Sequence, residues 1–126
     1  MPTLSPYDYA VVRVVPFVER GEYINVGVIL FCRTRRFLEA RMALDEARLT
    51  ALAPQLDPAD IRAELDLVLD ICEGAGPIGQ LSLAERFHWL TTPRSTIIQV
   101  SPVHAGLCDN PAGVLEHLIE TMVRVA

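Results

Sequence analysis

Residues 19–30 place a charged turn directly before an apolar run that contains one amide, Asn25, and one glycine, Gly27. An apolar run of this length, continuing to Cys32, is typical of a buried strand. A buried strand usually excludes both residue types, because an unpaired buried amide costs about 1–3 kcal/mol and a glycine weakens the strand. We therefore expect Asn25 and Gly27 to meet a local requirement, of either structure or function.

Length and composition predict a single domain spanning residues 1–126. With 126 residues, of which 51% are hydrophobic, the chain is long enough for one core and too short for two ordinary domains. Its apolar runs fall far short of the roughly 18 residues that a membrane span requires, and no secretory signal pattern is present. The three cysteines form an odd set without metal-ligand or redox spacing, which favours reduced thiols and a cytoplasmic protein.

The charge distribution argues against a nucleic-acid-binding protein. The net charge is -5, and the basic excess of +2 in residues 1–44 is small beside the -7 of residues 45–126. A nucleic-acid-binding domain would normally carry a much stronger basic excess.

Hydrophobic periodicity predicts an α+β fold. Residues 8–18, 23–33 and 37–44 have the composition of strands and are separated by charged turns, so the first third should form a three-stranded antiparallel meander. A fourth, short strand is expected at residues 96–100.

Helix signals fill most of the remaining chain. Residues 45–53 form a short helical pattern, and Asp57 and Pro58 are typical of the start of a longer helix. Ser82 with Glu85 predicts a capping box, and Asn110 begins a last amphipathic helix. The sheet should therefore pack against three to four helices.

The first candidate site is a notch in the predicted meander. If Val15 pairs with Asn25, then Arg13 lies opposite Gly27, where the missing side chain leaves room for a guanidinium. A shift of one residue would move Arg13 to the other face. The structural alternative is a cross-strand ion pair between Arg13 and Glu39, with Asn25 at a bulge.

The second candidate is the predicted loop of residues 101–110. It links two elements and contains Ser101, His104 and Cys108, although two potential ligands do not make a zinc site and no nucleophile motif surrounds the serine. Loop-stabilising hydrogen bonds are the structural alternative. Glu22, beside the first turn, could accept hydrogen bonds from backbone amides or remain a solvated turn charge.

Other motifs give weaker signals. The glycines at 74, 76 and 79 match dinucleotide-binding spacing, but they follow an amphipathic helix instead of a strand, so they predict a helix end and a linker. Neither a cofactor nor a metal is expected. Arg33, Arg35 and Arg36 could receive a phosphate or an acidic partner, or form a solvated turn.

The chain resembles the bacterial domain-of-unknown-function family 3037 over about residues 7–123, through residues in two of its segments. The residues that carry this resemblance are Arg13, Pro16, Gly21, Glu22, Asn25, Val26, Gly27, Pro93, Arg94, Ser101, Pro102, Val103, His104 and Gly106. The resemblance supplies no catalytic residues. It implies an accessory or regulatory role, since such proteins are often encoded beside a HipA-like serine/threonine kinase.

Two functional hypotheses follow. The first is a protein-interaction module that binds another protein, such as a HipA-like kinase, or a second copy of itself, through the meander or residues 101–110. The second is a small enzyme or phosphate-binding module that brings Arg13, Glu22, Asn25 and His104 around one pocket. The candidate functional residues are Arg13, Glu22, Asn25, Gly27, Arg94, Ser101 and His104.

Overall fold

The computed structural model describes residues 3–93 and 96–124 and has the expected α+β fold, with one more strand than the sequence predicts. The strands are β1 (Ser5–Val14), β2 (Ile24–Cys32), β3 (Phe37–Met42), β4 (Ile98–Val100) and β5 (His104–Cys108). The first three form the predicted antiparallel meander. The additional strand, β5, lies where the sequence predicts a loop.

The sheet has the order β3-β2-β1, and both β4 and β5 pair with the outer side of β1. β4 lies against residues 12–14 of β1, and β5 lies against residues 5–9. The two short strands are therefore successive parts of one interrupted edge.

The predicted helix starts are confirmed. The helices are α1 (Glu46–Leu52), α2 (Pro58–Cys72), α3 (Leu83–Thr91) and α4 (Pro111–Leu118), with 3-10 turns at Val18–Arg20 and Ile78–Gln80 and a π-helical turn at Ile119–Val123. Asp57 caps α2 through the amide of Ala59, and Ser82 and Glu85 form the expected capping box on α3. Gly74 has a φ of 93°, as a helix-ending glycine requires.

Each face of the sheet has its own core. On one face, buried residues of β1 and β2 pack against α1, α2 and α3. On the other face, Val28 and Leu30 of β2 pack against Leu115 and Ile119. The main helix contacts of this second layer are with β2 and β3, so β1 and β5 lie at its margin.

A β-bulge overturns the predicted register of the first hairpin. Val12 pairs with Gly27, and Arg13 pairs with Asn25, which leaves Val26 as the extra residue. The register in which Arg13 would lie opposite Gly27 is therefore not formed, and the alternative that places Asn25 at a bulge is confirmed. The single extra residue interrupts the period-two alternation, so Asn25 and Gly27 do not share a face.

No helix in the described part of the chain is both long and apolar enough to cross a lipid bilayer.

Candidate functional site

Arg13 and Asn25 form a polar pair at the bulge. The guanidinium of Arg13 lies 4.2 Å from the ring centroid of Tyr23, a cation–π contact. The Asn25 side chain donates a hydrogen bond of 3.0 Å to the carbonyl of Met122 in the π-helical turn. Asn25 therefore connects the bulge to the C-terminal helical segment, which is a structural role.

Two polar atoms of this pair have no hydrogen-bond partner among the described residues. They are Nε of Arg13 and Oδ1 of Asn25, and both are buried. The alternative ion pair between Arg13 and Glu39 is not formed, because β2 separates β1 from β3.

Gly27 is required by close packing between strands. A Cβ at this position would meet the Sδ atom of Met42 and would lie 2.7 Å from the carbonyl oxygen of Arg41. The backbone carbonyl cannot move without disturbing the β2–β3 ladder. Gly27 therefore permits the sheet to close here and provides no notch for a guanidinium.

Ser101 completes the ladder between the two short edge strands. Its hydroxyl accepts a 2.9 Å hydrogen bond from the amide of Val11, and its own amide donates to the Val11 carbonyl. The residue is only 3% exposed. The register of the pairing with β1 differs by one residue between β4 and β5. At this shift the Val11 amide has no backbone carbonyl opposite it, so the Ser101 hydroxyl serves as its acceptor.

Glu22 and His104 lie apart from the Arg13–Asn25 pair. Glu22 is exposed at the hairpin tip, where it forms an ion pair with Arg20 instead of accepting backbone hydrogen bonds. His104 pairs with Tyr9, five residues along β1 from the Val14–Ile24 pair that closes the hairpin.

The five residues of β1 between the His104 pair and the hairpin end span about 16 Å along the strand. The four side chains of the enzyme or phosphate-binding hypothesis therefore do not surround one pocket. Arg94, another candidate residue, lies outside the described residues.

Of the three arginines in the turn between β2 and β3, one forms hydrogen bonds within the protein and two are exposed to solvent. Arg35 donates to the Ser5 hydroxyl and to the carbonyl of Thr3, which fastens the N-terminal end of β1. Arg33 and Arg36 are exposed.

His104 belongs to a row of rings on the margin of the second face. The ring centroids of Tyr9 and His104 are 5.4 Å apart, and those of Tyr7 and Tyr9 are 6.3 Å apart. The Tyr7 ring lies directly over Gly106, where a Cβ would overlap it. We call Tyr7, Tyr9 and His104 the aromatic strip.

The hydrogen-bond pattern of β1 shows which backbone groups of β5 point outward. Val11 exchanges hydrogen bonds with Ser101, and the amide of Val15 donates to the carbonyl of Ile97, so the odd-numbered residues of β1 face the β4–β5 edge. In an antiparallel pair, hydrogen-bonded and non-bonded positions alternate. The backbone groups of His104 and Gly106 are therefore directed to β1, and those of Ala105 and Leu107 are directed away from the sheet.

The two edges of the sheet differ in protection. The β3 edge carries exposed Glu39 and Arg41, and charges of this kind oppose pairing with another chain. β5 has no Asp, Glu or Arg, its residues Ala105 and Leu107 are exposed, and Leu107 is 63% exposed. The β5 edge therefore lacks the charges that usually block strand addition.

The thiols are free and buried, as is typical of structural cysteines. Burial raises the pKa of the Cys72 thiol to about 12. The pKa of the Cys108 thiol is also raised, by burial and then by the neighbouring Cys32. Neither thiol is suited to act as a nucleophile near neutral pH.

Among residues 3–93 and 96–124, no group of three or more His, Cys, Asp or Glu side chains is placed to hold a metal ion. His104 is exposed whereas Cys108 is buried.

Sequence reasoning did not identify two features of the site. The β5 strand was hidden because Gly106 and the preceding Pro102 are of residue types that are depleted in strands. An apolar cavity between α2, α3 and β4 was also missed, since its lining comes from segments far apart in the sequence.

The fold and edge define a small α+β protein with one charged and one uncharged sheet edge. A family model described as a protein of unknown function (DUF3037) matches residues 9–123, nearly the whole chain, and the protein belongs to this family. No curated protein and no solved structure matches it.

Proposed function

We propose that this protein is an accessory or regulatory protein-interaction module, which binds an extended segment of its partner along the β5 edge. The observation that carries the proposal is the outward direction of the Ala105 and Leu107 backbone groups on an edge without charged residues. An added strand would pair with these groups, as in other cases of β-strand addition.

The surroundings of the edge support the same function. The aromatic strip lies on the face next to β5, and the stacked Arg13–Tyr23 pair lies further along β1. Tyrosine and arginine are enriched in protein interfaces, because they combine a large contact area with hydrogen-bonding groups. The exposed side chains of Leu4 and Val103 add apolar surface near the same edge.

The partner that we propose is a HipA-like serine/threonine kinase in the cytoplasm. The support is the family resemblance, which links such proteins to neighbouring kinase genes. A second copy of this chain presents the same edge, so a homodimer is the competing occupant.

The proposal is tested by binding of a purified HipA-like kinase from the same cells to the wild-type protein and to edge variants. Leu107→Glu places a charge on the edge, and Ala105→Pro removes an outward amide without removing a hydrogen bond to β1. The matched control is Leu67→Glu, because Leu67 is 58% exposed, similar to Leu107, but belongs to α2.

We expect both edge variants to weaken kinase binding by at least tenfold and Leu67→Glu to leave it unchanged. Equal binding by all four proteins would contradict strand addition at β5. A concentration-dependent dimer that Leu107→Glu abolishes, without any kinase binding by the wild type, would assign the edge to self-association instead.

A further inference from the structure

A cavity of about 420 Å³ lies between α2, α3 and β4, on the face of the sheet opposite the aromatic strip. Its walls are mostly apolar and include Val68, Ile71, Ile78, Leu90 and Val100. A volume of this size falls within the range of small-molecule binding sites.

Among the described residues, the charged groups that line the cavity are carboxylates. Glu64 and Asp70 both contribute to the lining, and neither side chain has a hydrogen bond or ion pair within the described part of the chain. The described lining contains no arginine or histidine.

Three neutral polar side chains of the lining already donate hydrogen bonds within the protein. The Gln99 side chain donates to the Thr96 carbonyl, and the hydroxyls of Thr96 and Thr92 donate to the carbonyls of Ile98 and His88. The carboxylates of Glu64 and Asp70 are therefore the charged side-chain groups of the described lining that are left to meet a ligand.

We propose that this cavity binds a small molecule with an apolar body and a protonated amino group. The apolar walls would take up the body of the molecule, because transfer of apolar surface from water is favourable. The two carboxylates would attract the ammonium group and disfavour an anion of the same shape. This inference is independent of the β5 edge.

Trp89 provides a site-specific reporter, since it lines the cavity and is the only tryptophan in the chain. The test is a fluorescence titration at pH 7.5 with 4-phenylbutylamine, 4-phenylbutanoate and 4-phenylbutan-1-ol, which share a shape and differ in charge. We expect a saturable change with the amine and binding of the carboxylate weaker by about fivefold or more, as two partly exposed charges would give.

Charge and shape are then tested separately. Glu64→Gln with Asp70→Asn should remove most of the preference for the amine. Asp66→Asn on α2 with Glu73→Gln directly after it, both outside the lining, should retain the preference. Ala75→Phe fills the cavity from an exposed position, so it should weaken all three probes without unfolding the protein.

The proposal would be overturned by the absence of a saturable change with the amine up to its solubility limit. Equal affinity for the amine and the carboxylate, or an unchanged preference in the Glu64→Gln/Asp70→Asn variant, would also overturn it. Leu107→Glu should bind the amine as the wild type does, so failure of the edge proposal and failure of this one are distinguishable.

Discussion

The buried hydroxyl of Ser101 replaces a backbone carbonyl as the acceptor for the Val11 amide, at the point where the edge of the sheet changes register. The sequence predicts that Ser101 is a candidate functional residue, whereas the structure shows its hydroxyl as part of the hydrogen-bond ladder of the sheet. Its neighbour Pro102 has no amide to donate, which fits an interruption between two strands.

Replacing Ser101 with alanine should leave the Val11 amide without its acceptor in a buried position. We expect Ser101→Ala to lower the free energy of unfolding by about 1–3 kcal/mol, measured by urea denaturation. Thr50→Ala, at an exposed position on α1, is the control and should change stability by less than about 0.5 kcal/mol. A similar small change for both variants would show that the hydroxyl is dispensable.

Asn25 should also act on stability, because its amide fastens the β2 bulge to the Met122 carbonyl. We expect Asn25→Ala to lower the free energy of unfolding by about 1 kcal/mol and to speed amide exchange in the π-helical turn. The same variant should bind the kinase as the wild type does. Lost binding with unchanged stability would instead assign Asn25 to the interface.

The raised pKa of Cys72 gives stability a defined pH dependence. The pKa of this thiol is 9.0 in the unfolded chain and about 12 in the folded protein. Between pH 9 and pH 12, therefore, mainly the unfolded chain loses the proton. The contribution is fully present below pH 9 and is lost as the pH rises towards 12.

We expect the free energy of unfolding to fall more steeply between pH 8.5 and 10.5 in the wild type than in Cys72→Ala, by up to about 1.4 kcal/mol per pH unit. Urea denaturation across this range measures both slopes. Parallel slopes would mean that the folded protein does not protect the thiol.

At the scale of elements, local signals predicted most of the secondary structure. Helix starts were predictable because caps act within four residues, as at Asp57 and Ser82. The bulge at Val26 was not, since the pattern of apolar residues is compatible with more than one register. The β5 strand depends on pairing with residues almost one hundred positions away, which local propensity does not report.

Tyr7 and Gly106 form a cross-strand contact in which the ring covers the glycine. We expect Gly106→Ala to lower the free energy of unfolding by about 1–3 kcal/mol, because the new methyl group overlaps the ring. In a Tyr7→Leu background the same substitution should lower the free energy of unfolding by clearly less. Urea denaturation of the wild type, the two single variants and the double variant measures this difference. An equal loss of unfolding free energy in both backgrounds would show that the Tyr7 ring is not what the new methyl group overlaps.

At the scale of the whole molecule, the candidate residues that the structure describes do not form one site. Ser101, Asn25 and Gly27 support the sheet, whereas Glu22 and His104 lie at separate places on its surface. Sequence reasoning identified these positions but not their relation, because that relation depends on the strand order and the bulge. What the fold adds is an uncharged edge on one side and an apolar cavity on the opposite face.

Amide hydrogen exchange along β5, with and without the purified kinase, tests the central proposal most directly. In the free protein we predict fast exchange at Ala105 and Leu107 and slow exchange at His104, Gly106 and Cys108, because only the latter amides are directed to β1. Bound kinase should make Ala105 and Leu107 slow as well. Unchanged exchange at these two amides in a saturated complex would contradict strand addition at this edge.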